Sequence, residues 1–491
     1  MRFLLDTNIL IPLEDSSHVL EQRLANFIRL ARENNHQLLY HPASESDFAR
    51  DKDSQRRARN LQRLSLYPRL QAPPACPWNS AQTAPNDAAD NEILYALKCD
   101  AVHALVTEDR GIHDNARNRR LDGRVYTIQT ADDWLRRLHD KINVRLPNVE
   151  DVPLYSLTSL LSSPFFDSLR TSYARFDDWF RAKAQEGKKA WVVWDKPNEL
   201  GAVCVYAHQT NEMITQSGLK LDGEALKLCT FKVGPTVRGQ KIGELFLKAA
   251  FRYATANRLA NIFIHGDLNQ HHFLFEMLED FGFQHVGHHP GGDSQDAVYL
   301  KKHPLKPPDD LIQPFDFLKS YFPHFRADAS VSKYVVPIQP QYHKILFPDH
   351  LSPFDIQLDL FQTPNSVGNA IKLAYLCHAQ TRQMQPGDIV LFYRSQDERA
   401  ITSIGIVEQY GSLKDAEEIA ALVKRRTVYS MDEIKMLAQK ATKVMLFRLV
   451  QHFSKPLPQA WLEAQRVLNG APQSIMKISD TAFTEVWDHG R

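Results

Sequence analysis

Asp6, Asp47, Asp90 and Asp109 are far apart in the chain, yet each falls where an apolar strand ends or a helix begins. Asp6 closes "RFLLD", Asp47 follows "YHPASES" at the head of a charged helix, Asp90 sits in "NDAADNEILYALK", and Asp109 closes "ALVTED". In a parallel α/β sheet, strand C-termini and the following helix N-termini share one edge, so the four carboxylates are expected to converge. Like charges held together repel unless a cation sits among them. All-oxygen ligands suit Mg²⁺ or Mn²⁺ rather than zinc. Such an ion can deprotonate a water and stabilise the departing oxygen of a phosphodiester. Taken singly, each acid also reads as a helix cap or a solvated loop acid, Asp90 most of all.

Two basic runs flank these acids. One carries Arg50, Lys52, Arg56, Arg57, Arg59 and Arg63; the other carries Arg117, Arg119, Arg120 and Arg124. Taken singly they are solvated helix faces, but beside an acidic pocket they suit a phosphate backbone. A second chemistry-bearing stretch is "CTFKVGPTVRGQKIGELFLKAAF", a strand, a glycine-containing loop and a helix. Free backbone N–H groups at such a helix start bind anions, a pyrophosphate for example. The loop residues are Val233, Arg238, Gly239, Gln240, Lys241, Ile242 and Gly243. His265, His271 and His272 are titratable groups nearby. Farther on, Tyr393, Arg394 and Ser395 emerge at a strand end, where an aromatic ring and a guanidinium suit base stacking and phosphate contact. Residue by residue, packing of Tyr393 and solvation of Arg394 is the plainer reading.

The elements that must position these groups fall into three blocks. At 491 residues the chain is too long for one ordinary core, and 43% hydrophobic with 24% charged residues is normal for globular protein. Net charge is +1, so nucleic-acid binding must come from local patches. No apolar run is long enough for a bilayer span. Asp6 interrupts the opening apolar run, so this segment is expected to belong to the mature fold rather than to a secretion signal. Five scattered cysteines without a CxxC pair imply reduced thiols and a cytoplasmic setting.

Residues 1–145 alternate strands and helices, an α/β pattern with a parallel sheet. Residues 152–303 carry a strand meander feeding a helix, an α+β pattern. The stretch 304–329 is rich in proline and charge and reads as a linker. Residues 330–491 form another α+β block around "GDIVLFYRS" and "ITSIGIVEQY".

The segments "LLDTNIL", "HPASESDF", "NDAADNEIL" and "LVTEDRGI" resemble the PIN nuclease family across most of residues 1–140. The resemblance implies that Asp6, Asp47, Asp90 and Asp109 bind the catalytic Mg²⁺ or Mn²⁺, with Thr7 or Asn8 steadying Asp6. Glu45 competes with Asp47, Asp87 with Asp90, and Glu108 with Asp109. It also implies RNA as substrate, and nothing in the residues separates RNA from single-stranded DNA.

The middle loop resembles the acyl-CoA loop of GNAT acetyltransferases over about 155–303. Arg238 and Gly243 fit that loop, and Lys241 stands where its first glycine would be. That resemblance implies acetyl-CoA binding; the tyrosine that often serves as general acid is replaced here by Leu278. Pro386-Gly387-Asp388 before an apolar strand resembles the PUA-like superfamily, ASCH and EVE domains included, and implies a β-barrel that binds RNA or modified bases. Two whole-chain readings result. One is a metal-dependent ribonuclease, in an architecture suited to a toxin or defence protein with an antitoxin partner. The other is an acetyltransferase acting on RNA or protein, with the outer blocks as binding modules.

Overall fold

In a computed structural model, the structure describes residues 1–14, 22–49, 53–65, 67–80, 84–139, 148–234, 236–237, 240–268, 271–291, 296–350, 370–381, 383–423, 426 and 429–491. Two compact units result. One is Met1–Ile142 with Leu376–His378 and Ser412–Val444; the other is Asn143–Tyr375 with Ala379–Gly411 and Met445–Arg491.

The first unit is built on strands β1 (Arg2–Leu5), β2 (Gln37–Tyr40), β3 (Ala104–Val106) and β4 (Val125–Tyr126), in the order β2-β1-β3-β4. All three ladders are parallel. A parallel strand covered on both faces must be apolar throughout, and Phe3, Leu4, Leu5 and Ala104–Val106 are fully buried. The order reverses between β1 and β3, because β2 lies on one side of β1 and β3 on the other. A sheet of this kind opens a crevice beyond its strand ends at such a switch point.

The second unit opens with seven strands: β5 (Glu150–Pro153), β6 (Lys189–Lys196), β7 (Glu199–Thr210), β8 (Glu224–Val233), β9 (Asn261–Gly266), β10 (Gln284–His288) and β11 (Ala297–Lys302). Their order is β10-β11-β9-β8-β7-β6-β5. Every ladder is antiparallel except β8 with β9. A parallel neighbour needs a crossover, and the helix Ile242–Ala256 supplies it. Its buried residues Ile242, Leu245, Phe246, Ala250 and Ala254 recur at helical spacing and lie against one sheet face. The opposite face packs Val192, Val203 and Val205 against the helices Asp167–Ser172 and Phe176–Gln185.

The remaining strands are β12 (Lys333–Ile338), β13 (Lys372–Cys377), β14 (Ile389–Arg394), β15 (Ala400–Leu413), β16 (Thr442–Pro458) and β17 (Met476–Ile478). They run in the order β13-β16-β15-β14-β12-β17. A barrel was expected; among the described residues no ladder joins β13 to β17.

The proline-rich stretch is not a simple linker. It contains the helix Pro314–Tyr321, and Phe317, Leu318 and Phe322 are buried in the core. This helix fits between two glycines with positive φ. A Cβ on Gly282 (φ +83°) would stand 2.2 Å from the Lys319 carbonyl oxygen, and one on Gly387 (φ +96°) 2.4 Å from the Pro314 Cβ. Only glycine allows both the turn and the close approach.

Candidate functional sites

At the switch point of the first unit, Asp6 ends β1 and is 4% exposed. Its Oδ1 accepts from the Thr7 backbone N–H at 2.7 Å and the Thr7 hydroxyl at 3.3 Å, and its Oδ2 accepts from the Thr107 hydroxyl at 2.7 Å. Thr107 also accepts from the Asn8 amide at 3.2 Å and from the Asp109 N–H at 2.9 Å. Burial raises the Asp6 carboxyl above the ordinary aspartate range, and the Asp109 charge adds to the rise; the Thr107 and Thr7 donors oppose it. The charge of Asp109 thus reaches Asp6. Thr7 bonds Asp6 directly, while Asn8 acts through Thr107, a residue the sequence reading missed.

Among the described residues, no third carboxylate or imidazole joins Asp6 and Asp109 within 4.8 Å. Asp109 accepts from the Ile112 N–H at 3.1 Å and caps the helix Arg110–Asn118. Glu108 caps another helix instead, accepting from the Ile128 N–H at 2.8 Å. Asp90 is half-buried in the second turn of the helix Pro85–Lys98, and Asp87 is exposed in its first turn. Asp47 lies in the helix Ala43–Ala49, and its side chain is outside the described residues. Its competitor Glu45 accepts from Arg69 at 2.9 Å and Tyr40 at 3.0 Å. A Mg²⁺ or Mn²⁺ ion can be held by one or two carboxylates and keeps most of its water ligands, so Asp6 and Asp109 are the acids left as candidates.

The flanking arginines divide. Arg56 is exposed and Arg57 half-buried on the helix Ser54–Leu64. Arg119 lies on the Trp78 ring at 3.7 Å and bonds Asn91 at 3.2 Å, so it packs rather than reaching outward. Arg120 is exposed, with φ +59°.

In the second unit, β8 and β9 run side by side only from Ala225↔Asn261 to Leu228↔Ile264. Beyond that point β8 continues for five residues to Val233 without β9 beside it. The cause is local. Against β7, Tyr206 pairs with Leu228 but Val205 pairs with Thr230, so Cys229 is an extra residue, a bulge that bends the strand. Burial changes at the same place: Ala225, Leu226 and Leu228 are buried, whereas Cys229–Val233 are half-buried. Among the described residues no strand pairs with the β9-facing edge of Cys229–Phe231, and the strands part there; the helix Ile242–Ala256 follows from β8. An extended ligand bearing amides can pair with such an edge.

The loop residues are only partly as expected. Arg238 and Gly239 lie outside the described residues. Lys241 does take the left-handed conformation of the glycine it replaces, with φ +55°. Its charge, however, is committed elsewhere. The Lys241 ammonium donates to the Lys372 carbonyl at 2.6 Å and stands 3.6 Å from Glu244, which in turn accepts the Lys372 N–H at 3.1 Å. Gly243 lies so close to Met277 that a Cβ would reach its sulfur at 2.7 Å. Ile242 is buried in the core, Gln240 is half-buried, and Val233 is the last residue of β8. Leu278 is fully buried, so that position offers no proton donor.

A titratable cluster stands at the open end of β9. His265 is the first β9 residue past the last pair with β8, and its Nδ1 lies 3.0 Å from Asp296 Oδ2. The His289 ring stacks on it at 3.9 Å. Burial lowers His289 to about 4, with His265 and Lys227 adding, and also lowers His271, against the pull of Asp267 and Asp296. Burial raises Tyr173 to about 12, helped by the charges of Asp296 and Asp267.

The chain matches no protein-family model and no curated protein. Parts of it are similar to solved structures. ASCH from Zymomonas mobilis is 11% identical, over 32% of this chain and 96% of that one, with a TM-score of 0.25. A putative N-acetyltransferase from Lactobacillus plantarum is 14% identical, over 31% and 97%, with a TM-score of 0.24. The PaiA N-acetyltransferase from Thermoplasma acidophilum, in complex with coenzyme A, is 15% identical, over 32% and 99%, with a TM-score of 0.23. At such scores these likenesses carry no argument about activity, which rests on this chain's own residues.

In the last sheet the expected nucleic-acid contacts are not displayed. Tyr393 and Arg394 are each 1% exposed. The Tyr393 hydroxyl donates to Gln459 at 3.0 Å, and Arg394 donates twice to Asp397, at 2.9 and 2.6 Å. Asp388 of the Pro-Gly-Asp turn accepts from the Ser332 and Gln385 N–H groups at 2.9 and 2.8 Å, which explains the acid there. None of the five cysteines forms a disulfide, and no helix of the described residues is long and apolar enough to cross a membrane.

Proposed function

We propose that the block of residues 152–303 binds acetyl-CoA and transfers its acyl group to a primary amine. The observation that carries this reading is the parting of β8 from β9 after Leu228 and Ile264. The edge of Cys229–Phe231, which β9 no longer pairs, offers backbone partners to an extended thioester chain, and the helix start at Ile242 follows the same loop. Helix starts favour phosphate groups. Lys241 is engaged with Lys372 and Glu244, so the loop's backbone rather than that ammonium would meet the pyrophosphate. The acceptor amine belongs to RNA or protein in this reading, and the outer blocks serve as its binding modules. A crystal grown with acetyl-CoA tests it: density along Cys229–Val233 supports the reading, and density elsewhere or none rejects it.

A second activity is favoured by one specific observation, the buried carboxylate of Asp6 at the β1/β3 switch point, on which the charge of Asp109 acts. These residues would hold Mg²⁺ or Mn²⁺, which when bound supplies an activated water for phosphodiester hydrolysis. Thr7, Thr107 and Asn8 orient the buried carboxylate. Metal-dependent cleavage of single-stranded RNA that persists undiminished in D6N would end this reading.

A further inference from the structure

The proposed transfer leaves one chemical role unfilled. The departing thiolate needs a proton, and Leu278, where a donor was sought, is sealed in the core. The opening itself offers a replacement. Along β9, Ile262 and Ile264 face the core on the side of the helix Ile242–Ala256, whereas Phe263 faces a separate cluster on the other side. Strand alternation puts His265 on the Phe263 side. That is also the sheet face covered by the helix Asp167–Ser172, which ends at Tyr173. His265 therefore stands at the apex of the opening, beside the last β8–β9 pair, with a side chain turned away from the crossover helix. Its Nδ1 is held by Asp296, and its Nε2 has no hydrogen-bond partner among the described residues. A carboxylate on Nδ1 fixes the proton there and leaves Nε2 with its lone pair.

We propose that His265, oriented by Asp296, is the single proton carrier of the transfer, acting first as base and then as acid. This rests on the acyl-CoA reading above. As the amine nitrogen forms its bond to the thioester carbon, it sheds a proton to His265 Nε2. The carbon–sulfur bond breaks, and Nε2 gives that same proton to the sulfur. Amine and thioester become amide and thiol, and His265 returns to its starting form. No external acid or oxidant is needed.

Charged and polar groups surround His265. His289 stacks on it from the β10–β11 connection, and Asp296 bonds it from the start of β11. Lys227 and Glu212 act on His289 from β8 and the β7–β8 loop; the charges of Asp267 and Lys232 and the side chains of His271 and Tyr173, whose neutral forms burial favours, complete the surroundings. Asp296 and Asp267 bias the opening towards a cationic acceptor.

The test uses the full chain, with calorimetry for acetyl-CoA binding and thiol release from acetyl-CoA with 1,5-diaminopentane as the amine probe. In H265Q, binding is expected to stay within about twofold of wild type while thiol release falls about 100-fold. The acidic limb of the rate–pH profile disappears with it. D296N is expected to lose about 10-fold and to shift that limb, because the imidazole is no longer held in one tautomer. An H265Q protein with wild-type rate and profile overturns the inference. So does a wild-type protein that binds acetyl-CoA and releases no thiol to the amine. Failure of wild type to bind acetyl-CoA is a different result, because it removes the acyl-CoA reading itself.

Discussion

Asp6 is a carboxylate in a place that disfavours its charge. Burial raises its folded value, so in metal-free protein its ionisation costs stability, and that cost grows as pH rises through the folded value. D6N is therefore expected to raise the melting temperature without metal and to remove any rise on adding Mg²⁺ or Mn²⁺. Melting curves with and without the ion check both. Lys301 gives the opposite sign. It is fully buried, donates to the Ser320 carbonyl at 2.9 Å, and is pushed down to about 7 by burial and the charge of Arg448. The unfolded chain then binds more protons above that value, so stability rises with pH there and is lost as pH falls through about 7. Urea midpoints at about pH 6 and about pH 9 should differ less in K301M than in wild type. The partners of Asp6 show what was legible. Thr7 and Asn8 were readable because they adjoin the acid, whereas Thr107 looked like an ordinary strand residue, since β-branched types favour strands whatever else they do. Tyr393 and Arg394 misled for a related reason. A strand end looks exposed until the chain folds back, and Asp397, three residues on, was the sign that Arg394 had a local partner.

Elements were legible where one face or both are buried. The parallel strands of the first sheet and the crossover helix Ile242–Ala256 follow from apolar runs and helical spacing. The parting of β8 and β9 was not legible, because a bulge at Cys229 depends on the register of β7 against β8. Nor was the helix Pro314–Tyr321, whose prolines read as linker; the aromatic run "PFDFLKSYF" was the contrary signal. Its fit against Gly282 makes a sharp prediction. G282A would drive a Cβ to 2.2 Å from the Lys319 carbonyl at a φ of +83°. The expected loss is more than about 2 kcal/mol, read as a drop in the urea midpoint of the second unit.

At the scale of the molecule, the middle and last sheets share one compact unit, and charge joins them. Arg448 of β16 is fully buried; it donates to the Asp280 carboxylate and carbonyl at 2.8 Å each and to Glu408 at 3.4 Å, and it lies over the Phe281 ring at 5.0 Å. Lys372 of β13 also bonds Asp280, while its backbone is held by Lys241 and Glu244 at the start of the crossover helix. The backbone of Lys372 at the start of β13 is thereby tied to the start of the crossover helix. Removing the buried cation in R448A is expected to cost about 3 kcal/mol, because Glu408 and Asp280 lose its charge and hydrogen bonds, and to lower the unfolding midpoint accordingly. The central claim is that the opening between β8 and β9 receives acetyl-CoA. Calorimetric titration of the full chain with acetyl-CoA tests it most directly: the account predicts saturable binding of one molecule per chain, and the absence of binding heat with folded protein would contradict it.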